Sequence, residues 1–211
     1  MNEPSAMITD YLLGIISLYL AVYLFKLTYT EKQYSIASLT IAFSTSAIAA
    51  FAGGTYHSFF TSMNHTIHTV FWTITVYALS FTSLFMFIAV ILSSVFPLMR
   101  TSLLIIAWLK FMLFVCWMAI HDDFKYVIID YGLTLIGILI LQIYVIKYWK
   151  ENYSKWIISG VIVAFFGGMF QLIGFDISKI FNHNDIFHIF QIISLYLLYK
   201  GGIQFKDRFP F

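Results

Sequence analysis

The chain has 211 residues, of which 61% are hydrophobic, 20% aromatic and only 10% charged, with a formal net charge of +2. A water-soluble domain of this size cannot hide that much apolar surface, so composition excludes a soluble globular fold and leaves an integral membrane protein. The basic residues are scattered among loops, which argues against a nucleic-acid surface, and a single cysteine excludes an internal disulfide.

Seven apolar stretches follow one another, each near the roughly 20 residues that a bilayer requires. They run Tyr11–Leu27, Ile36–Ala52, Val70–Leu92, Leu103–Ile120, Val127–Ile146, Trp156–Ile173 and Asp185–Lys200. The expected fold is therefore all-α, one domain over residues 1–211, built as a bundle of seven transmembrane helices. Only the acids Glu3 and Asp10 precede the first stretch, so it reads as a retained span and not a cleaved signal peptide. Pro4, Pro97 and Pro210 all fall outside the spans, and the Gly/Pro-broken paired spans of transporters are missing. Cys116 lies within an apolar run and reads as an inert packed thiol.

Basic residues flanking the spans set the orientation. Lys26, Lys32, Arg100, Lys147, Lys150, Lys155, Lys200, Lys206 and Arg208 gather on one side, against Lys125 and Lys179 on the other. By the positive-inside rule the N-terminus is outside and the C-terminus cytoplasmic. All six histidines (His57, His65, His68, His121, His183, His188) then fall at the non-cytoplasmic end, together with Asp10, Asp122, Asp123, Asp130, Asp176 and Asp185.

Imidazoles and carboxylates gathered at one end of a helix bundle suit a divalent transition metal, most simply Zn2+ with three protein ligands and an open water position. Such a water can attack an ester or amide while a nearby carboxylate carries protons. The expected ligands are His57 and His188, with His183, Asp185 or His68 as the third. Around Asn182-His183-Asn184-Asp185 the side chains also suit a helix start, and Asp185 and His188, three residues apart, share one face. Asp130, a turn into the fifth span, is a candidate proton carrier or a support for the ligands. Interfacial His and Asp can equally cap helices or snorkel to water.

Other residues carry two readings. Gly53-Gly54 beside His57 and Gly167-Gly168 either let helices pack closely or leave room for a ligand, and Gln171 bonds either a substrate or a neighbouring helix. Lys110, in the middle of the fourth span, either snorkels or pairs with an acid or a lipid phosphate. Asn64-His65-Thr66 matches the glycosylation tripeptide.

A seven-span bundle with a histidine late in span two (His57) and a histidine-bearing motif opening span seven (His183, His188) resembles the superfamily of alkaline ceramidases, adiponectin-receptor-like proteins and Per1-type proteins. Residues 181–201, ending Tyr199-Lys200-Gly201, look most like a small bacterial branch of that group. The resemblance implies a zinc-bearing hydrolase of lipid amide or ester bonds in a bacterial inner membrane, and it carries over His57 and His188 as individual residues. It departs at three site positions: Asn184 replaces the first histidine of the span-seven His-x3-His, Gly53 replaces a serine, and His68 replaces an aspartate. The alternative on the same scaffold is a non-catalytic receptor or lipid-binding module. Either way the expected partner is a membrane lipid. A transporter fits less well, because the polar residues gather at one end and form no relay across the bilayer.

Overall fold

The computed structural model describes residues 4–59, 64–178 and 181–208; Glu3, Lys179 and Pro210, named above, lie outside them. The described chain is all-α. Its helices are α1 (Pro4–Glu31), α2 (Tyr34–Phe59), α3 (His65–Ser94), α4 (Pro97–Met118), α5 (Lys125–Trp149), α6 (Tyr153–Ile173) and α7 (His183–Gly202). The first six are long and apolar enough to cross a membrane. The seventh has 20 residues, but it opens on Asn184, Asp185, His188 and Gln191, which lower its apolar content.

Several helices begin earlier than their apolar runs. The first starts at Pro4, not Tyr11, and the third at His65, not Val70. Helical hydrogen bonding does not stop where apolar side chains do, and Asn64 supplies an N-cap whose side chain accepts from the Ile67 N–H at 2.9 Å. The glycosylation tripeptide is thus also a cap. At the far end of α6, Gly174 takes a left-handed φ of 68° and stops the helix.

Six helices close into a ring: α1 packs on α2, α2 on α3, α3 on α5, α5 on α6, α6 on α7, and α7 returns to α1. Small residues let the backbones approach. A methyl at Gly14 would meet the Phe51 ring within about 3 Å, and one at Gly54 would come within 2.8 Å of Tyr11, so α1 and α2 are held in close contact. Between α6 and α7 the same holds at Gly160 against Leu198 and Gly167 against Phe190.

Outside the ring, α4 packs on α3 along a single stripe of Arg100, Ala107, Phe111, Phe114 and Met118. Leu103, Leu104, Lys110 and Val115 are half-buried beside it, and most of the remaining residues of α4 face outward. Cys116 is on that outward face and is exposed, which corrects the expectation of a packed thiol. Polar groups reinforce the attachment. Lys110 ion-pairs with Asp130 of α5, and its Nζ also donates to Ser83 Oγ of α3 at 3.1 Å. Ser83 in turn bonds Thr134 Oγ1 at 2.8 Å. Of the alternatives open for Lys110, the pairing with an acid is the one observed.

The end of the bundle carrying the 203–208 segment is clasped by it. Phe205 is buried against Tyr153, with ring centroids 5.4 Å apart. Asp207 accepts from the N–H groups of Tyr34 (2.7 Å) and Ser35 (2.9 Å), capping α2 across 172 residues of sequence. Arg208 lies 4.4 Å from the Trp149 ring, pairs with Glu151 at 2.8 Å and donates from Nε to the Ser93 carbonyl at the end of α3.

Removing Lys110 by Lys110→Ala leaves Asp130 buried without its cation and should cost about 3 kcal/mol, whereas Lys110→Met with Asp130→Asn should recover most of it. Thermal unfolding in detergent reads the difference; an unshifted midpoint for the single variant would dismiss the tether. By the same assay Asp207→Ala should cost about 1 kcal/mol, the usual scale of a lost helix cap, and Asp207→Asn less.

Candidate functional site

The site is built outward from the start of α7. Asn182 accepts at its side chain from the N–H groups of Asn184 (2.9 Å) and Asp185 (3.4 Å), and Asp185 Oδ2 accepts from the Asn182 N–H at 2.9 Å. This reciprocal cap satisfies the first turn and fixes the Asp185 carboxylate at the helix start, where the helix dipole favours it. Asp185 is fully buried, and its oxygens take two further donors from α1: Ser5 Oγ at 3.0 Å and Thr9 Oγ1 at 3.2 Å.

One turn along, His188 is buried with both ring nitrogens engaged. Nδ1 is 2.9 Å from Thr9 Oγ1, and Nε2 is 3.1 Å from Asp10 Oδ1. Thr9 has a single hydroxyl proton. If it goes to Asp185, the Nδ1–H of His188 donates to Thr9, and Nε2 and Asp10 share a proton held by one or the other. If it goes to Nδ1, the Nε2–H donates to Asp10. Each arrangement sets one proton between Asp10 and His188.

Asp10 is buried and also touches α2. A Cβ at Gly53 would lie 3.4 Å from Asp10 Oδ2, an ordinary contact distance, so the carboxylate lies directly against that helix. His57, one turn beyond Gly53, is close enough to His188 to interact with it electrostatically. Its neighbour Tyr56 packs edge-on to it at 5.5 Å, and on the other side lies against His68 (4.0 Å) and Trp72 (5.1 Å).

These groups form the polar end of a cavity of about 540 Å³ inside the six-helix ring. Asp10, His57, Gln171, Asn184, His188 and Gln191 contribute to its wall, and the remainder is predominantly apolar. The Gln171 amide donates to Asn184 Oδ1 at 2.8 Å, so the helix-bonding alternative for Gln171 is realised within the cavity wall. Such a volume lies within the range of small-molecule sites.

Of the candidate residues, the structure brings together His57 and His188. His183 faces away from the cavity. Its Nδ1 and backbone N–H both lie 2.8 Å from Asp176 Oδ1, and these bonds hold the exposed Asp176 carboxyl below the usual carboxylate range. His68 lies tilted against the Tyr56 ring and is not part of the wall. Asp185 supports His188 through Thr9, and Asp130 belongs to the Lys110 pair. Among the described residues no three His, Cys, Asp or Glu side chains lie close enough to hold a metal ion.

Sequence reasoning missed Ser5, Thr9 and Asp10 as site residues. The available signal was Asp10 itself, an acid one residue before an apolar run; extending the helix one turn back would have put Thr9 and Asp10 on it.

The chain belongs to the family of unknown function DUF6962, whose model matches residues 5–207. No curated protein and no solved structure matches it.

Thr9→Val removes the hydroxyl shared by Asp185 and His188 while keeping the shape, and should cost about 1–3 kcal/mol by leaving buried polar groups short of a partner. Thr9→Ser should restore most of that. Unfolding midpoints of the two variants check the expectation, which fails if the valine variant matches the wild type.

Proposed function

We propose that this member of DUF6962 is a seven-span protein of a bacterial inner membrane, N-terminus outside, whose ring of helices binds a membrane lipid. The lipid's apolar chain fills the cavity and its polar head meets Asp10, His57, Asn184 and His188. The observation that carries the reading is the asymmetry of the cavity: a mainly apolar wall enclosing about 540 Å³, with polar side chains that include a buried carboxylate–imidazole pair. A site of that volume favours a single-chain amphiphile over a two-chain phospholipid. The pair can donate or accept one proton, so it suits a head group bearing hydroxyl, amide or amine functions.

The seventh span is supported by length, since 20 helical residues extend about 30 Å, the thickness of the hydrocarbon layer. The orientation is supported by the basic residues, nine against two between the ends of the bundle.

A second reading, hydrolysis of a lipid amide or ester with zinc, is favoured by Asp10, His57 and His188 bordering one cavity. It requires those side chains to turn towards a common point. In that case bound zinc would polarise the acyl bond and activate water.

Lipid extraction with mass spectrometry, together with elemental analysis of the detergent-purified chain, separates these readings. Wild-type protein should retain one lipid species. His188→Ala, checked for helicity by circular dichroism, should retain about tenfold less, equivalent to roughly 1.4 kcal/mol of binding. Near one zinc per chain, lost in the variant, would move the conclusion to the hydrolase. Neither lipid nor zinc in folded wild type would end both.

A further inference from the structure

Three of the residues lining the cavity are exposed at the outer surface of the bundle: Ile129 (53%), Met169 (46%) and Leu172 (56%). All three belong to α5 and α6. The lining residues contributed by α1, α2, α3 and α7 are buried or half-buried. The cavity therefore reaches the flank of the bundle at one seam.

The glycines at the seams point to the same place. Among the described residues, Gly132 of α5 has nothing within 4 Å of where a Cβ would stand, and it is the only helical glycine there of which this is true. Gly168 of α6 meets only Ile128 of α5, at 3.6 Å. Elsewhere the space over a helical glycine is filled by an opposing side chain. A methyl at Gly137 would come within 2.9 Å of Phe87 between α3 and α5, and one at Gly167 within 2.8 Å of Phe190 between α6 and α7. Moreover, α6 packs far more extensively on α7 than on α5.

Depth decides what faces the gap. Gly132 is seven residues into α5 and Gly168 five residues from the end of α6, roughly 10 Å and 7 Å along the two helices at 1.5 Å per residue. With helices of 25 and 21 residues set about a 30 Å hydrocarbon layer, both glycines lie roughly 6–7 Å beneath its surface. The rim is apolar (Ile128, Ile129, Met169, Leu172), so what adjoins it is the acyl-chain region. Gln171 and Asn184, one turn nearer the helix ends, line the cavity at the level where a head group would remain.

We infer that the cavity takes its ligand sideways from the bilayer, through a gap between α5 and α6 at Gly132 and Gly168, as the acyl chain of a membrane lipid. This deepens the lipid-binding reading and rests on it for the identity of the occupant. The chain slides between the two glycines while the head stays near the interface, so the polar head need not cross the hydrocarbon.

The test uses the full chain in liposomes with a thiol reporter inside the cavity. Ser46 of α2 lines the cavity and is buried, and Ser46→Cys in a Cys116→Ser background changes little volume. The probe is a single-chain alkyl maleimide dissolved in the bilayer. Ser46→Cys should be labelled, and adding Gly132→Phe should slow labelling by about tenfold or more, since blocking access acts on the association rate. The native, outward-facing Cys116, kept in a second chain carrying Gly132→Phe, should react as it does without that substitution. Should Gly132→Phe fold poorly, Met169→Ala with Leu172→Ala widens the rim and should speed labelling. Reporter labelling that ignores both changes overturns the gap, as does a reporter that reacts only with a charged, water-soluble maleimide. Labelling that depends on residue 132, in a wild type that retains no lipid on extraction, instead overturns the binding reading and leaves the gap standing.

Discussion

A buried carboxylate far from compensation is among the most expensive things a helix bundle can contain, and Asp185 is fully buried. Three hydrogen-bond donors and a helix dipole make it tolerable, and they come from two sources. Its own helix start supplies the Asn182 N–H and the dipole, while α1 supplies the hydroxyls of Ser5 and Thr9. The requirement works as a constraint on assembly: α7 can bury this group only with α1 beside it. The same contact brings Thr9 under His188 and Asp10 opposite it, so the seam that closes the ring also builds the polar end of the cavity. Site and fold share one interaction here.

The gross architecture was legible because helical apolar runs are long and each of the seven expected spans contains a real helix. The histidine distribution singled out the end of the bundle at which His57 and His188 border the cavity. The sequence ranked His188 ahead of His183 but did not show where His183 goes. Both sit in one polar stretch of residues 181–191, yet five positions put them about 140° apart on a helix, and the cap at Asn182 turns the first towards Asp176 while the second faces inward. Asp10, Thr9 and Ser5 were hidden for a different reason. A span estimate follows hydropathy and ends where apolar residues end, but the backbone of α1 keeps its hydrogen bonds back to Pro4. Asp130 stood out correctly as a costly acid; its cation, Lys110, comes from a helix outside the ring, and no local pattern specifies such a pairing.

Gly53 shows how one position can serve packing and site together. Gly54 next to it is filled by Tyr11, the ordinary use of a small residue between helices, whereas Gly53 admits the Asp10 carboxylate. The glycine on α2 and the acid from α1 therefore face each other at contact distance.

The closed ring has its seam between the first and last helices, and proteins are made from one end. While α1 to α6 are being inserted, Ser5, Thr9 and Asp10 already stand in the bundle but their partners on α7 have yet to leave the ribosome. Arrival of α7 ends that state in a single step, because the same helix supplies the carboxylate, the imidazole and the wall. Closure of the ring and completion of the polar end of the cavity therefore depend on one and the same helix.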